Sequence, residues 1–508
     1  MAENSKKEKT IKKYVTGKNR ENIICFLLIS AAAFFFLMRS PLHPWLGRDS
    51  GIDSSVYKTI SLMMQRGFMP YKDSFDHKGP LIYLINYLGD VLLGYQGVWM
   101  FEYIFLIVTF FLMYKTARLF CSTVPSVITT LSASGLLFLY FDDGNMTEEY
   151  AMPFIAAALF IFLDYMKNDK VTRLRLVLCG FSCGMVLMLR PNMIAVWEAF
   201  SVGVLVKLGM GKKWKTVLKF LTFFMAGVLA AVLPFIIWLA ANGALSAFWD
   251  CYITFNSEYS SGAVTERALF INKWESFFFF LNTEILMLSF GGLVYGTVKG
   301  KKLLNLTYIG FLLLTLCFIS MSGMTYPHYG MVLVPAVIYP LSIIFSELEA
   351  LKDKHISGVL IALVSLYMFS RMVAPDWTRQ LSYVAGVYDI RNENNRSEAA
   401  SEVADVIQKY TDREDPIFVY GMWDYIYVIS DRPHATKYSY IFPISDIRKE
   451  ILYLFYRQLE KELPKIVVVQ KDFHHPKILS FLMGHDYERI WTSDPDSPED
   501  STVIYYRP

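Results

Sequence analysis

The chain has 508 residues, of which 54% are hydrophobic, 16% aromatic and only 19% charged. This composition, with a mean hydropathy of +0.33, excludes a soluble globular domain and is typical of a protein that crosses a membrane several times. The 49 basic and 46 acidic residues leave a formal charge of +3, so the charge balance does not indicate a nucleic-acid partner, and none is predicted.

A basic tail precedes the first apolar run and has no small-residue cleavage site after it, which predicts a cytoplasmic N-terminus and a retained first span. Further apolar runs of about 20 residues, the length that crosses a bilayer as a helix, recur along the chain. The runs lie at 23–40, 98–118, 123–141, 149–166, 174–190, 192–207, 215–241, 276–298, 303–321, 329–347 and 356–374. We therefore predict about eleven transmembrane helices.

The stretch 47–80 is a charge-dense insert between apolar segments, yet it keeps apolar residues at helical spacing between its charges. The apolar run that follows it, 81–93, is too short to span a bilayer comfortably and predicts an interfacial or re-entrant helix. The first outer loop is then 41–97. With that arrangement all the basic clusters between spans fall on the side of the N-terminal tail, as the positive-inside rule requires.

After residue 374 the charge rises and short β-type runs at 416–420, 465–470 and 502–506 alternate with helical patterns at 396–410 and 444–463. The predicted fold is therefore an all-α polytopic membrane domain, 1–374, with a small C-terminal extracytoplasmic α/β domain, 375–508. The six cysteines have neither metal-ligand spacing nor a disulfide pattern, and no metal site is predicted.

Asp53 is the first candidate for chemistry, because a carboxylate beside the headgroup region is costly to desolvate and is readily tuned as a base. Its place before a helical pattern is also that of an N-cap, so both interpretations stand. Two residues are secondary candidates: Asp49, which also suits a cap or an ion pair with Arg48, and Tyr57 on the same predicted helix.

Glu148 and Glu149 begin another span on the same outer face as Asp53. Carboxylates in the first turn also suit the helix dipole, so a catalytic role and a helix-stabilising role remain alternatives.

Outward-facing cations are the third group of candidates. Lys78, Arg190 and His328 stand at the ends of apolar segments, where long cationic side chains commonly extend to the headgroups. Three cations converging on one outer face would alternatively hold a phosphate. Asp76 and His77, which precede Lys78, join this group as lipid-phosphate or donor-binding candidates.

The motifs GIDSSVYKTI, PYKDSFDHKGP, NMTEEYAMPF, LRPNM and YPHYGMVLVP occur in this order along residues 1–375. The order resembles the GT-C superfamily of integral-membrane glycosyltransferases, and within it the bacterial protein mannosyltransferase and aminoarabinose transferase type. The resemblance implies a sugar donor on a polyprenyl phosphate, with Asp53 acting at the acceptor and Lys78 contacting the lipid phosphate. Relatives often have Asp-Glu where this chain has Asp53 and Ser54, so a second carboxylate would have to be Glu148 or Glu149.

The sequence thus predicts a hexosyl- or pentosyltransferase of the cell membrane that acts on its outer face, inverts the anomeric centre and requires no cofactor; dependence on a divalent metal stays open. Its expected partners are a polyprenyl-phosphate-linked sugar, membrane lipids and an acceptor protein, lipid or cell-wall glycan. The alternative is a transporter or flippase for a lipid-linked or anionic substrate, although no paired halves with broken helices are visible in the sequence. A non-catalytic anchor is a third interpretation, and an anchor needs few spans.

Overall fold

A computed structural model describes residues 2–44, 49–94, 96–261, 266–385 and 390–508. Gly47 and Arg48, at the start of the predicted loop, lie outside the described residues. The helices of the membrane part are α1 (Ala2–Leu37), α2 (Ile52–Gln65), α3 (Pro80–Leu93), α4 (Gly97–Ala117), α5 (Thr123–Ser134), α6 (Leu137–Tyr140), α7 (Thr147–Asn168), α8 (Arg173–Leu187), α9 (Ala195–Met210), α10 (Trp214–Ala241), α11 (Leu245–Phe248), α12 (Phe255–Ser261), α13 (Glu266–Leu281), α14 (Glu284–Val298), α15 (Lys302–Ile319), α16 (Leu333–Ala336), α17 (Ile338–Glu349), α18 (Lys354–Met368) and α19 (Trp377–Val384).

Within the described residues, 7 segments are long and apolar enough to cross a membrane, or up to 9 if each of two bent helix pairs forms one span. The bends are 79° between α13 and α14 and 45° before α17. Helices α8 and α9 coincide with two further predicted spans but have only 15 and 16 residues. The predicted polytopic helical fold is confirmed, and the count of about eleven spans stays a prediction.

Helix α3 lies where the sequence predicts the interfacial helix. Its 14 residues extend over about 21 Å, less than the thickness of a hydrocarbon core. Proline at its first position and the left-handed Gly94 after its last residue explain where it begins and ends. It packs against α2 and α4, so α2 and α3 form a layer on the membrane part.

The C-terminal part contains α20 (Ile390–Tyr410), β1 (Ile417–Tyr420), α21 (Tyr425–Ser430), α22 (Ile444–Ile447), α23 (Glu450–Glu462), β2 (Ile466–Val469), α24 (Pro476–Gly484), β3 (Glu488–Thr492) and β4 (Val503–Tyr506). The sheet order is β1-β2-β4-β3, with β1 and β2 parallel and the other pairs antiparallel. All residues of β1 and β2 are buried, as in a sheet covered on both faces. The predicted α/β fold is confirmed, whereas β3, whose residues are exposed or half-buried, was absent from the prediction.

Helix α2 joins the two parts of the chain. Its Leu62 belongs to the same apolar cluster as the core of the C-terminal sheet. On one side of this contact the Thr59 hydroxyl donates to the Asp424 carbonyl at 3.1 Å, and on the other Arg66 pairs with the Asp431 carboxylate at 2.7 Å. The C-terminal domain therefore rests on the helix that carries Asp53.

The orientation of the domains is a prediction with a direct test. Cysteine replacing the exposed Asp496 should react with a membrane-impermeant maleimide in intact cells, because the C-terminal domain is predicted to be extracytoplasmic. Cysteine replacing the exposed Lys170, in a predicted cytoplasmic loop, should react only after permeabilisation. The unsubstituted chain gives the background from its own cysteines, and the reverse pattern of labelling would refute the orientation.

Candidate functional site

A cavity of about 350 Å³ lies between the membrane part and the C-terminal domain. Its walls come from the first turns of α2, the segment 76–78, the loop 142–146, the segment 326–329 and the loops after β1 and before α22. Most of the predicted site residues line it, namely Asp53, Tyr57, Asp76, His77, Lys78 and His328. Segments far apart in the chain therefore form one site.

Asp53 lies in the first turn of α2 but does not cap it. The helix begins at Ile52 after Gly51, and no side chain caps it. Asp53 is half-buried and makes no hydrogen bond within the described part of the chain, so its carboxylate is available to a ligand in the cavity. One turn later the Tyr57 hydroxyl is buried and likewise has no hydrogen-bond partner among the described residues. Burial, followed by the Asp53 charge, raises the pKa of Tyr57, so the phenol stays neutral.

Asp76 is held as an acceptor at the base of the cavity. Its Oδ2 accepts from the Tyr83 hydroxyl at 2.8 Å, and its Oδ1 accepts from the Tyr440 hydroxyl at 3.0 Å and from the His77 backbone N–H at 2.7 Å. Burial raises the pKa of Asp76, and the nearby Lys78 charge opposes that rise. Because Tyr440 comes from the C-terminal domain, this carboxylate connects both parts of the site.

Lys78 is a buried cation beside a neutral histidine. Burial, and then the charges of Lys78 and Arg190, lower the pKa of His77 well below its usual value. The neutral His77 Nε2 therefore accepts from the Lys78 ammonium, 3.2 Å away. Burial alone would lower the pKa of Lys78, but Asp53, Tyr329 and Asp76 together outweigh burial and the Arg190 charge, and the net pKa is raised. Lys78 thus keeps its positive charge in a largely desolvated position.

Arg190 and Glu148 pair with each other just outside the cavity wall. Arg190 Nη1 donates to Glu148 Oε1, and the guanidinium lies 4.0 Å from the centroid of the Tyr329 ring. Thr147 donates to the other oxygen of Glu148 at 2.8 Å. Of these four residues only Tyr329 lines the cavity. Arg190 therefore affects the cavity through its positive charge and by its contact with the Tyr329 ring.

The remaining candidates differ in their position relative to the cavity. His328 lines the cavity, with Nδ1 3.2 Å from Asp142 Oδ2. Asp49 accepts from the Gly51 N–H at 3.2 Å and from the Trp423 indole N–H at 3.2 Å, and it therefore connects the start of α2 to the C-terminal domain. Glu149 is buried against Glu102 and lies behind the cavity lining.

Asp424 is a cavity residue that the sequence analysis did not identify. It follows β1, is buried, and its Oδ2 accepts from the Ser439 hydroxyl at 2.5 Å. Burial raises the pKa of Asp424 to about 7. The sequence signal for Asp424 was its position shortly after a predicted strand, because the loops after the carboxyl ends of parallel strands commonly bind ligands. Among the described residues, no group of three or more His, Cys, Asp and Glu is arranged to hold a metal ion.

Gly79 fixes where Lys78 lies. Its N–H donates to the Leu189 carbonyl at 2.9 Å, and the Leu81 N–H donates to the Met188 carbonyl at 3.0 Å. A Cβ at position 79 would lie 2.1 Å from the Met188 oxygen, closer than atoms can approach. The start of α3 is therefore docked directly on the chain that leads to Arg190.

Comparisons with known proteins agree with this architecture. The sequence profile described as "Dolichyl-phosphate-mannose-protein mannosyltransferase" matches residues 78–238. The solved ArnT of Cupriavidus metallidurans bound to undecaprenyl phosphate superposes with a TM-score of 0.63 at 13% identity, covering 95% of this chain and 97% of that one. The Archaeoglobus fulgidus oligosaccharyltransferase in complex with Zn and sulfate gives a TM-score of 0.54 at 14% identity, covering 95% and 73%.

The archaeal oligosaccharyltransferase AglB from Archaeoglobus fulgidus, in complex with an inhibitory peptide and a dolichol-phosphate, gives a TM-score of 0.51 at 11% identity and covers 96% of this chain and 74% of that one. Among curated proteins none matches this chain significantly. At these identities the solved structures show a shared fold.

Replacing Gly79 with alanine should destabilise the protein, because the added methyl group forces the start of α3 away from Met188. We expect a loss of about 1–3 kcal/mol in the free energy of unfolding, as for other overpacked sites, measured as a lower melting temperature in detergent. Gly310→Ala is the matched control, since a Cβ there meets nothing within 4 Å. Equal melting temperatures for both variants would contradict this account.

The raised pKa of Asp424 should make the stability of the folded protein depend on pH. Because its pKa in the folded chain, about 7, lies above its value in an unfolded chain, about 3.9, the folded state holds the proton more tightly. Its contribution to stability is therefore full below about pH 4 and is lost as the pH rises through 7. Asp424→Asn should flatten the fall in melting temperature between these values, and an unchanged profile would contradict the assignment.

Proposed function

Because the chain has the fold of the GT-C superfamily of integral-membrane glycosyltransferases, we propose that it transfers a sugar from a polyprenyl-phosphate-linked donor to an acceptor hydroxyl. We place the reaction on the outer face of the cell membrane, in the cavity between the membrane part and the C-terminal domain. One observation carries the proposal: a buried charged lysine, Lys78, faces the same cavity as Asp53, a carboxylate that makes no hydrogen bond to any described residue.

The phosphate of the donor would bind at Lys78. A buried ammonium is unfavourable without an anion, and within the described residues no carboxylate forms an ion pair with it at 4.0 Å or less. The charge of Arg190 would add to the field at this point. Cations placed where charge develops stabilise the leaving phosphate as the glycosidic bond breaks.

Asp53 would act as the general base. The acceptor hydroxyl gives its proton to the Asp53 carboxylate while its oxygen forms a bond to the anomeric carbon. The bond from that carbon to the phosphate oxygen breaks, and the polyprenyl phosphate leaves with the electron pair beside Lys78. Attack from the face opposite the phosphate inverts the anomeric centre. Because a phosphate is a good leaving group, the step requires no general acid, and we propose no cofactor.

The two glutamates of α7 have different places in this scheme. Glu148 pairs with Arg190, so we assign it to fixing that guanidinium beneath Tyr329. Glu149 lies behind the cavity wall, against Glu102. Asp53 is therefore the carboxylate to which we assign proton transfer.

The C-terminal domain would help to select the substrate. It closes the cavity with Asp424, from the loop after β1, and Tyr440, from the loop before α22. Hydroxyl groups of a sugar or acceptor are natural partners for such carboxylate and phenol groups. The solved neighbours support the polyprenyl-phosphate donor, since ArnT holds undecaprenyl phosphate and AglB holds a dolichol-phosphate together with a peptide.

The test uses purified protein in detergent. The donors are a panel of undecaprenyl-phosphate-linked glucose, mannose, galactose and arabinose, and a membrane extract supplies the acceptor. The measurement is the release of undecaprenyl phosphate. Asp53→Asn should lower the rate by about 10² to 10⁴, the contribution of a general base. Lys78→Ala should lower it by about 10² to 10³, the effect of removing a preorganised charge.

The matched controls are Asp496→Asn and Lys170→Ala, both on exposed side chains far from the cavity, which should keep the wild-type rate. Wild-type turnover by Asp53→Asn would refute the base assignment. Binding of undecaprenyl phosphate that is unaffected by Lys78→Ala would refute the phosphate site.

A further inference from the structure

The Asn145 side chain is fully hydrogen-bonded where four helices meet. Its Nδ2 donates to Ser54 Oγ at 2.9 Å and to Asn86 Oδ1 at 2.9 Å. Its Oδ1 accepts from Asn86 Nδ2 at 3.1 Å and from the Tyr150 hydroxyl at 3.0 Å. All of these residues are buried. An amide whose two donors and two lone pairs are all used specifies one arrangement of its neighbours.

The backbone of Asn145 is held just as closely by two carboxyl groups. Its φ of 54° is left-handed, a conformation that asparagine tolerates better than most residues. This turns its N–H toward Glu102 Oε1 at 2.8 Å and Glu149 Oε2 at 3.0 Å. The other oxygen of Glu102 accepts from Ser40 at 2.8 Å.

The two carboxyl groups therefore lie side by side, because one oxygen of each accepts from the same N–H. Both groups are buried, and two negative charges side by side in a buried position would repel strongly, so a proton on one of them is favoured. The pair therefore holds one proton and one negative charge, and that charge faces the Asn145 N–H.

This cluster bears on the proposed base through Ser54, which follows Asp53 in the first turn of α2. That turn has no side-chain cap, so its position depends on contacts made from outside the helix. Next to it, Gly51 packs so closely on the loop of Asn145 that an added Cβ would lie 2.5 Å from Asp143 Oδ2. The loop 142–146 thus fixes both the start of α2 and the direction of Asp53.

We propose that Asn145 is a positioning residue for Asp53, and that Glu102 and Glu149 hold Asn145 as a pair that shares one proton. Neither carboxyl group of this pair lines the cavity, so both act through Asn145 and Ser54. The inference rests on the proposed function, because it assigns to Asn145 the geometry of the proton-transfer step and leaves the lipid-phosphate site to Lys78.

The experiment compares kcat and KM for whichever undecaprenyl-phosphate-linked sugar of the panel the wild-type protein turns over, together with binding of undecaprenyl phosphate itself. Asn145→Asp keeps the side-chain size but removes both amide donors and adds a charge beside the carboxyl pair. We expect kcat to fall about 10²-fold, as when a reacting group is misplaced by about 1 Å. The donor KM and the binding of undecaprenyl phosphate should stay near their wild-type values.

Two further sets of variants isolate the mechanism. Ser54→Ala removes only the contact next to Asp53 and should lower kcat in the same way but by less. Its matched control is Ser289→Ala, a buried helix serine that bonds only its own helix carbonyl. Glu102→Gln and Glu149→Gln, which each leave one ionisable carboxyl group and one neutral group, should keep most activity, whereas Glu102→Ala and Glu149→Ala should lose it.

The outcomes separate this inference from the proposed function. Wild-type protein that neither binds undecaprenyl phosphate nor turns over any donor would refute the function itself. An unchanged kcat in Asn145→Asp would overturn the positioning role. An equal loss of kcat, undecaprenyl phosphate binding and melting temperature in that variant would also overturn it, because the residue would then be only structural.

Discussion

The buried ammonium of Lys78 is the constraint on which the site depends. Removing a charge from water is costly unless an anion or strong hydrogen-bond acceptors replace the hydration shell. The protein supplies a neutral imidazole from His77 and the field of Asp53, and this arrangement leaves positive charge available to a ligand. The glycine that follows Lys78 lets α3 dock on the chain before Arg190, so the position of the cation is set by backbone contacts.

Helix α2 connects the cavity to the core of the C-terminal domain. Its first turns carry Asp53 and Tyr57 into the cavity, and its last turns form a common core with the C-terminal sheet through Leu62. A change in the docking of the C-terminal domain would therefore move the proposed base as well as the cavity wall. The same domain supplies Tyr440, whose hydroxyl fixes Asp76. The cavity is thus a joint product of both domains.

Much of the site was predictable because the relevant signal is local. Charged residues in an apolar chain are costly and indicate function, and this argument selected Asp53, Lys78 and His328, which line the cavity, together with Arg190, Glu148 and Glu149, which do not. The capping alternative for Asp53 could be decided only from the backbone, because α2 begins at Ile52 and Gly51 holds the capping position. Pairing of Arg190 with Glu148 joins distant segments and leaves no local pattern. Strand β3 was missed because its residues lack the buried alternation of a central strand.

The sequence by itself determined the polytopic helical membrane part, the short helix α3, the α/β character of the C-terminal domain and the candidate charges, because hydropathy, periodicity and charge act over a few residues. Only the tertiary structure decided which charges meet. It placed Lys78 beside His77 and near the charge of Asp53, placed Glu149 in the hydrogen-bonded cluster around Asn145, and brought Asp424 into the cavity. Those outcomes depend on packing between segments far apart in the chain. Because burying a charge is costly, each buried charge must have a partner that this packing brings near.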